Sequence, residues 1–176
     1  MKKILLVLFM ILLLTGCGCA RKEEAPKEKE IILADDELMF DEILYKFNKE
    51  ENHYNIKYMV SDNMRLWDSG NAYNYFSEKI EGKEEKDAFI VRVFYYKNKD
   101  VKYAIKDTTD NKYESKNEVE LDGRKYTKVH FQNAGGAQTY LFYYKHKKDV
   151  YAYCFTSTKE VERLESIFLK NVKYSK

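Results

Sequence analysis

The sequence predicts an α+β fold, an antiparallel β-sheet of about five to seven strands with a C-terminal helix and one or two further helices packed on it. Three observations predict it. Apolar residues alternate with period two through much of residues 31–176. Two polar turns, Asp122-Gly123 and Lys145-His146-Lys147-Lys148-Asp149, separate such runs. One apolar stripe at helical spacing, Val161, Leu164, Ile167 and Phe168, lies near the C-terminus.

Each element follows from its residues. Residues 35–48 carry two patterns: Phe40, Ile43, Leu44 and Phe47 suit a helix face, whereas Ile43, Tyr45 and Phe47 suit a strand pairing back from Tyr54–Val60. Tyr54–Val60 alternates cleanly, as a strand with one buried face does. Phe89–Tyr96 is apolar on both faces and is expected to be central. Asp100 can cap a short helix bearing Val101, Ala104 and Ile105. Glu118–Leu121 and Lys125–Gln132 flank Asp122-Gly123 as one hairpin, and Tyr140–Lys145 and Val150–Thr156 form another. Ser157-Thr158-Lys159-Glu160 reads as a capping box for the last helix. The tail around Tyr174 is expected to fray.

The chain of 176 residues suits one globular domain. Its 16 Tyr and 10 Phe are too many for a disordered chain. Three cysteines, two of them close to the N-terminus, do not make a disulfide scaffold.

The N-terminus reads as an address. Lys2 and Lys3 precede an unbroken apolar run of eleven residues, Ile4–Leu14, too short to span a bilayer and suited to a signal peptide. The run ends in Leu14-Thr15-Gly16-Cys17, which resembles the lipobox of bacterial lipoproteins. That resemblance implies cleavage between Gly16 and Cys17, with diacylglyceryl attached to the Cys17 thiol. It divides the chain into a signal peptide (1–16), a lipidated cysteine with a charged tether (17–30) and one globular domain (31–176). Residues 18–30 lack any large apolar side chain and hold the only proline, Pro26. Such a segment spans roughly 20 Å as a coil. Loss of Lys2 and Lys3 leaves 29 basic and 29 acidic side chains, a balance that argues against nucleic acid and against a polybasic membrane patch. The expected location is the extracytoplasmic face of the bacterial cell membrane, held by lipid.

The order of elements resembles the PsbP/Mog1-like family, in particular its small lipoproteins from Gram-positive bacteria. The residues that carry this are Tyr45-Lys46-Phe47-Asn48-Lys49 followed by Tyr54–Tyr58, then Phe89–Tyr95, then Val119–Gly123 with Val129-His130-Phe131, and finally Val150–Ser157 with Phe168–Ser175. Ser61–Trp67 keeps the family's Trp but lacks its Pro. The resemblance implies an α/β/α sandwich with a closing helix, and a binding or assembly role.

Chemistry-bearing residues are sparse. His53, His130 and His146 are the only histidines, and none has the helical i, i+4 spacing of a metal-ligand pair. His130, on a strand with Val129 and Phe131 inward, is expected to face out with Lys128 and Gln132. Cys154 sits in an apolar strand without a CxxC partner and reads as a small buried hydrophobe. Gly135-Gly136 reads as a hairpin loop, and Asp35, Asp36, Asp41 and Glu42 as a solvated edge. No Walker A, GxSxG or dinucleotide fingerprint occurs. The sequence thus implies no catalytic residues, no cofactor and no metal.

Tyr140, Tyr143, Tyr144, Tyr151 and Tyr153 cluster on the last hairpin and are the candidate interaction surface, because tyrosine tolerates both an apolar and a wet side. The functional expectation is a non-enzymatic binding or assembly module whose partner is another envelope protein. The alternatives are a small-ligand or lipid-binding lipoprotein and an envelope hydrolase using His130 or His53. An open groove beside the sheet favours the first, a closed apolar cavity the second, and a histidine on a carboxylate in a cleft the third.

Overall fold

The computed structural model describes residues 32–40, 42–68, 70–77, 89–133, 135–159 and 162–175. The expected signal peptide, Gly16, Cys17 and the tether lie outside these residues, as do Asp41, Glu160 and Val161. The chain divides into two compact units, Met1–Ile32 and Leu33–Lys176, and every element below belongs to the second.

Among the described residues, eleven strands and two helices follow in order: β1 (Glu37–Phe40), β2 (Ile43–His53), β3 (Ile56–Ser61), β4 (Met64–Asp68), β5 (Ala72–Ser77), β6 (Phe89–Tyr96), α1 (Val101–Thr109), β7 (Ser115–Leu121), β8 (Arg124–Gln132), β9 (Gln138–His146), β10 (Asp149–Ser157), α2 (Glu162–Lys170) and β11 (Lys173–Tyr174). They form two antiparallel sheets, one ordered β1-β2-β3-β11 and one ordered β4-β5-β6-β10-β9-β8-β7. The α+β class holds. The larger sheet has seven strands, at the upper end of the five to seven expected, and a second sheet of four lies beyond the expectation.

Residues 35–48 are strand, not helix. Ile43, Tyr45 and Phe47 share one face of β2, and β2 pairs with β3 from Phe47–Ser61 to His53–Ile56. Tyr54 and Asn55 turn this hairpin with φ of 52° and 62°. Two consecutive left-handed residues give the twist that a two-residue hairpin needs, and Asn tolerates that region well. Asp122 and Gly123 repeat the device between β7 and β8, with φ of 51° and 70°. The hairpin of β4 and β5 has no counterpart in the sequence reading. Asp68 Oδ1 accepts the Gly70 N–H at 2.9 Å at its turn.

Asp100 caps α1 as expected, its Oδ1 accepting the Tyr103 N–H at 2.7 Å. Ser157 does not cap α2. It ends β10, and its Oγ accepts the Lys159 N–H at 3.1 Å in the turn before the helix. A serine before a polar triplet serves a turn as readily as a helix start. The tail is tied down as well: β11 pairs with β3, and the Tyr174 hydroxyl lies 2.7 Å from that of Tyr153. A two-residue strand replaces the expected frayed end.

After β6 the chain crosses one face of the large sheet through α1 to the far edge, then returns through β7, β8 and β9 to β10, which pairs with β6. β10 is therefore the central strand, and it separates two cores. Val150, Ala152 and Cys154 join Val129, Leu141 and Tyr143 beneath Ala104 and Ile105 of α1. Tyr151, Tyr153 and Phe155 face the other way, into the layer shared with β1–β3 and α2. We call these the outer and inner faces. Facing sheets lie about 10 Å apart, which large rings can bridge. A helix seated through alanine comes closer, so small side chains suffice beneath it.

Candidate functional site

The tyrosines expected to form a surface are mostly core. Tyr143, Tyr151 and Tyr153 are buried, and Tyr140 and Tyr144 are half-buried against the inner core. Burial of a phenol requires a partner for its hydroxyl, and the fold supplies several. Tyr153 meets Tyr174, Tyr58 meets Tyr75 at 3.0 Å, Tyr143 meets Thr108 at 2.5 Å, and Tyr151 donates to the Tyr54 carbonyl at 3.0 Å. Burial pushes all of these phenols above the ordinary tyrosine range. The expected interaction surface is thus withdrawn into the fold by its own hydrogen bonds.

Each histidine lies flat on a tyrosine. His53 stacks on Tyr73 at 3.6 Å, His130 on Tyr140 at 4.5 Å and His146 on Tyr174 at 4.8 Å between ring centroids. His130, on the side of β8 opposite Val129 and Phe131, is half-buried and not fully out in solvent as expected. Its Nδ1 lies 3.3 Å from a Glu114 carboxylate oxygen, and its Nε2 meets the Gln138 side chain at 2.5 Å. Beside it, Lys128 reaches Glu165 of α2 at 3.0 Å. Both nitrogens of His130 are thereby engaged by the protein's own side chains, which orders the ring. His53 Nε2 stands 3.5 Å from Glu51.

Cys154 is buried, and burial pushes its thiol up, partly opposed by the Arg92 charge, so the reactive thiolate is disfavoured. Gly135 and Gly136 turn the β8–β9 hairpin, where Gly136 donates to the Asn133 carbonyl at 2.9 Å. Asp35 stands in solvent 3.7 Å from Lys170. Among the described residues no group of three His, Cys, Asp or Glu side chains could hold a metal, and no helix is long and apolar enough to cross a membrane.

A groove that the sequence reading missed opens on the outer face beside α1. Trp67 of β4, Ala72, Asn74 and Phe76 of β5, and Arg92 and Phe94 of β6 line about 300 Å³. Strand register builds it. Asn74 sits between Trp67 and Arg92, and Ala72 beside Phe94, so every lining side chain points to the same face. Trp67 is 66% exposed and lies 6.1 Å from Phe76. The result is an aromatic floor with one guanidinium and one carboxamide. Its volume is at the lower limit for small-ligand sites. It suits one or two side chains of a partner: aromatic surface and arginine are what binding sites concentrate. The signal for it was Arg92, a charge in the middle of a strand whose every other neighbour is apolar.

No family model matches the chain, and no curated protein matches it. A solved structure from Bacteroides thetaiotaomicron VPI-5482 is similar at TM-score 0.49 and 13% identity, over 69% of this chain and 46% of that one. The chain thus spans less than half of that protein's length.

Proposed function

We propose that this protein is a lipoprotein of the bacterial envelope, held through Cys17 outside the cell membrane, whose PsbP/Mog1-like domain binds another envelope protein without performing chemistry. The observation that carries the binding role is the open groove of Trp67, Phe76, Phe94 and Arg92 beside the sheet. Its composition favours a segment offering an apolar side chain next to a carboxylate or carbonyl oxygen. Arg92 would pair with the oxygen and the aromatic floor would cover the apolar part. The inner layer is packed with rings in edge and tilted contact, including Phe155 and Tyr153 around Phe168, which favours a structural core over a ligand cavity there.

A photo-crosslinking residue placed at Trp67 in intact cells tests the binding role, with the same residue at Glu120 on β7 as the comparison. An adduct of one defined envelope protein from position 67 and none from position 120 is expected, and equal labelling from both would overturn it. The anchor is tested separately. Cys17→Ser abolishes lipid labelling if Cys17 carries the lipid, and normal labelling of that variant excludes it.

A further inference from the structure

Among the residues that line the groove, Arg92 alone is charged, and the fold gives it no counter-ion. It is half-buried, and among the described residues it makes no hydrogen bond and no ion pair. Its neighbours across the sheet are Asn74 on β5 and Cys154 on β10, and the outward residues beside it on β6 are Ile90 and Phe94. None of these four carries a charge. The other half-buried basic side chains of this sheet are partnered: Arg124 donates to the Leu169 carbonyl at 3.2 Å, and Lys128 reaches Glu165 at 3.0 Å. A guanidinium drawn partly out of water is ordinarily paired, so Arg92 is set for an anion that the domain itself does not supply.

The groove is closed around Arg92 and open at Trp67. Beyond Arg92 the next strand is β10, whose outward residues Ala152 and Cys154 are buried in the cluster beneath α1. Along the strands, Phe94 stands on one side of Arg92, and Phe76, across from Ile90, on the other. The open direction runs over Asn74 to Trp67, two strands away or roughly 10 Å. A segment that runs on past Arg92 has to climb over α1 or over one of these rings, whereas a segment that ends at Arg92 does not. An occupant that covers the guanidinium also strips its water. A full negative charge offsets that loss better than a neutral carbonyl, and a carboxylate presents two coplanar oxygens to the guanidinium fork.

We propose that, given the binding role of the groove, what enters it is the free C-terminus of the partner protein, with the terminal carboxylate on Arg92 and the last apolar side chains on Phe76, Phe94 and Trp67. A chain end joins the two features that the groove selects, a carboxylate and a place where the chain stops. Arg92 thereby sets specificity, and the rings supply the contact area.

Short peptides randomised at their final positions test this on the full chain. From peptides with free C-termini, selection is expected to enrich sequences that end in apolar residues. The same sequences made as C-terminal amides should bind at least about 10-fold more weakly, read by the anisotropy of a labelled peptide. Arg92→Gln should bring the free acid down to the affinity of the amide. Arg92→Lys should keep part of the difference, since an ammonium keeps the charge and loses the fork. Both variants should melt with the unsubstituted protein, because Arg92 has no partner in the fold to lose. In cells, the adduct formed from position 67 should contain the last residues of the captured protein. Acid and amide bound equally, or an adduct that maps to an internal segment of the partner, would overturn the terminus and leave the groove a binding site. No enrichment from the free acids while position 67 still captures a partner would overturn it as well. No capture at position 67 and no enrichment would remove the binding role together with the terminus.

Discussion

The two faces of the large sheet are built by the same strands to opposite ends. On β10, Tyr151, Tyr153 and Phe155 point inward, while Val150, Ala152 and Cys154 point outward. The inner face is closed by a second sheet and by α2, and Phe168 sits there against Tyr58, Tyr153 and Phe155. The outer face is covered by α1 over β9 and β10, and beside that helix lies the groove of Trp67, Phe76 and Arg92. The contrast teaches that aromatic abundance does not mark a binding surface. Tyrosine serves the closed face where hydroxyls find one another, and the open face needs only a few rings left without a cover.

Breaking the closed face should have the largest effect. Phe168→Ala empties a fully buried ring site where three aromatic neighbours meet, and should cost about 3–5 kcal/mol in denaturant unfolding. Ile105→Ala strips α1 of its largest buried side chain and should cost about 2–3 kcal/mol, the low end for such truncations, because a surface helix can settle. Hydrogen exchange should then quicken in α1 before it quickens in β10, whereas Phe168→Ala should speed both together. Tyr174→Phe leaves the Tyr153 hydroxyl without its partner at the tail strand and should cost about 1–3 kcal/mol. Trp67→Ala, on the open face, should change stability by no more than about 0.5 kcal/mol while weakening binding of the partner that crosslinking identifies. A melting temperature for Trp67→Ala as low as that of Phe168→Ala would erase the difference between the faces.

Much of this asymmetry was legible in the residues. Alternation along Val150–Thr156 sorted its side chains correctly into two faces, Asp122-Gly123 located a hairpin, and Asp100 located the start of α1. Alternation cannot say what covers a face. Tyr143 and Tyr153 therefore looked equally fit for solvent and for core until the partners Thr108 and Tyr174, distant in sequence, were brought to them. The second sheet was hidden for a related reason. Phe40, Ile43, Leu44 and Phe47 satisfy helical spacing while Ile43, Tyr45 and Phe47 satisfy strand spacing, and only pairing with β3 decides between them. The tail and the Ser157 turn were misread because short polar signals near a chain end have several local solutions. The groove escaped notice because Phe89–Tyr96 reads as a strand buried on both faces, although Arg92 stands among its apolar residues on the open side.

Trp67 is the single tryptophan of the chain, so its fluorescence reports on the open face alone. The native protein should emit at the long wavelength of a water-exposed indole. Acrylamide should quench it almost as efficiently as in the unfolded chain. A blue-shifted, quencher-protected native emission that moves red on unfolding would contradict an open outer face.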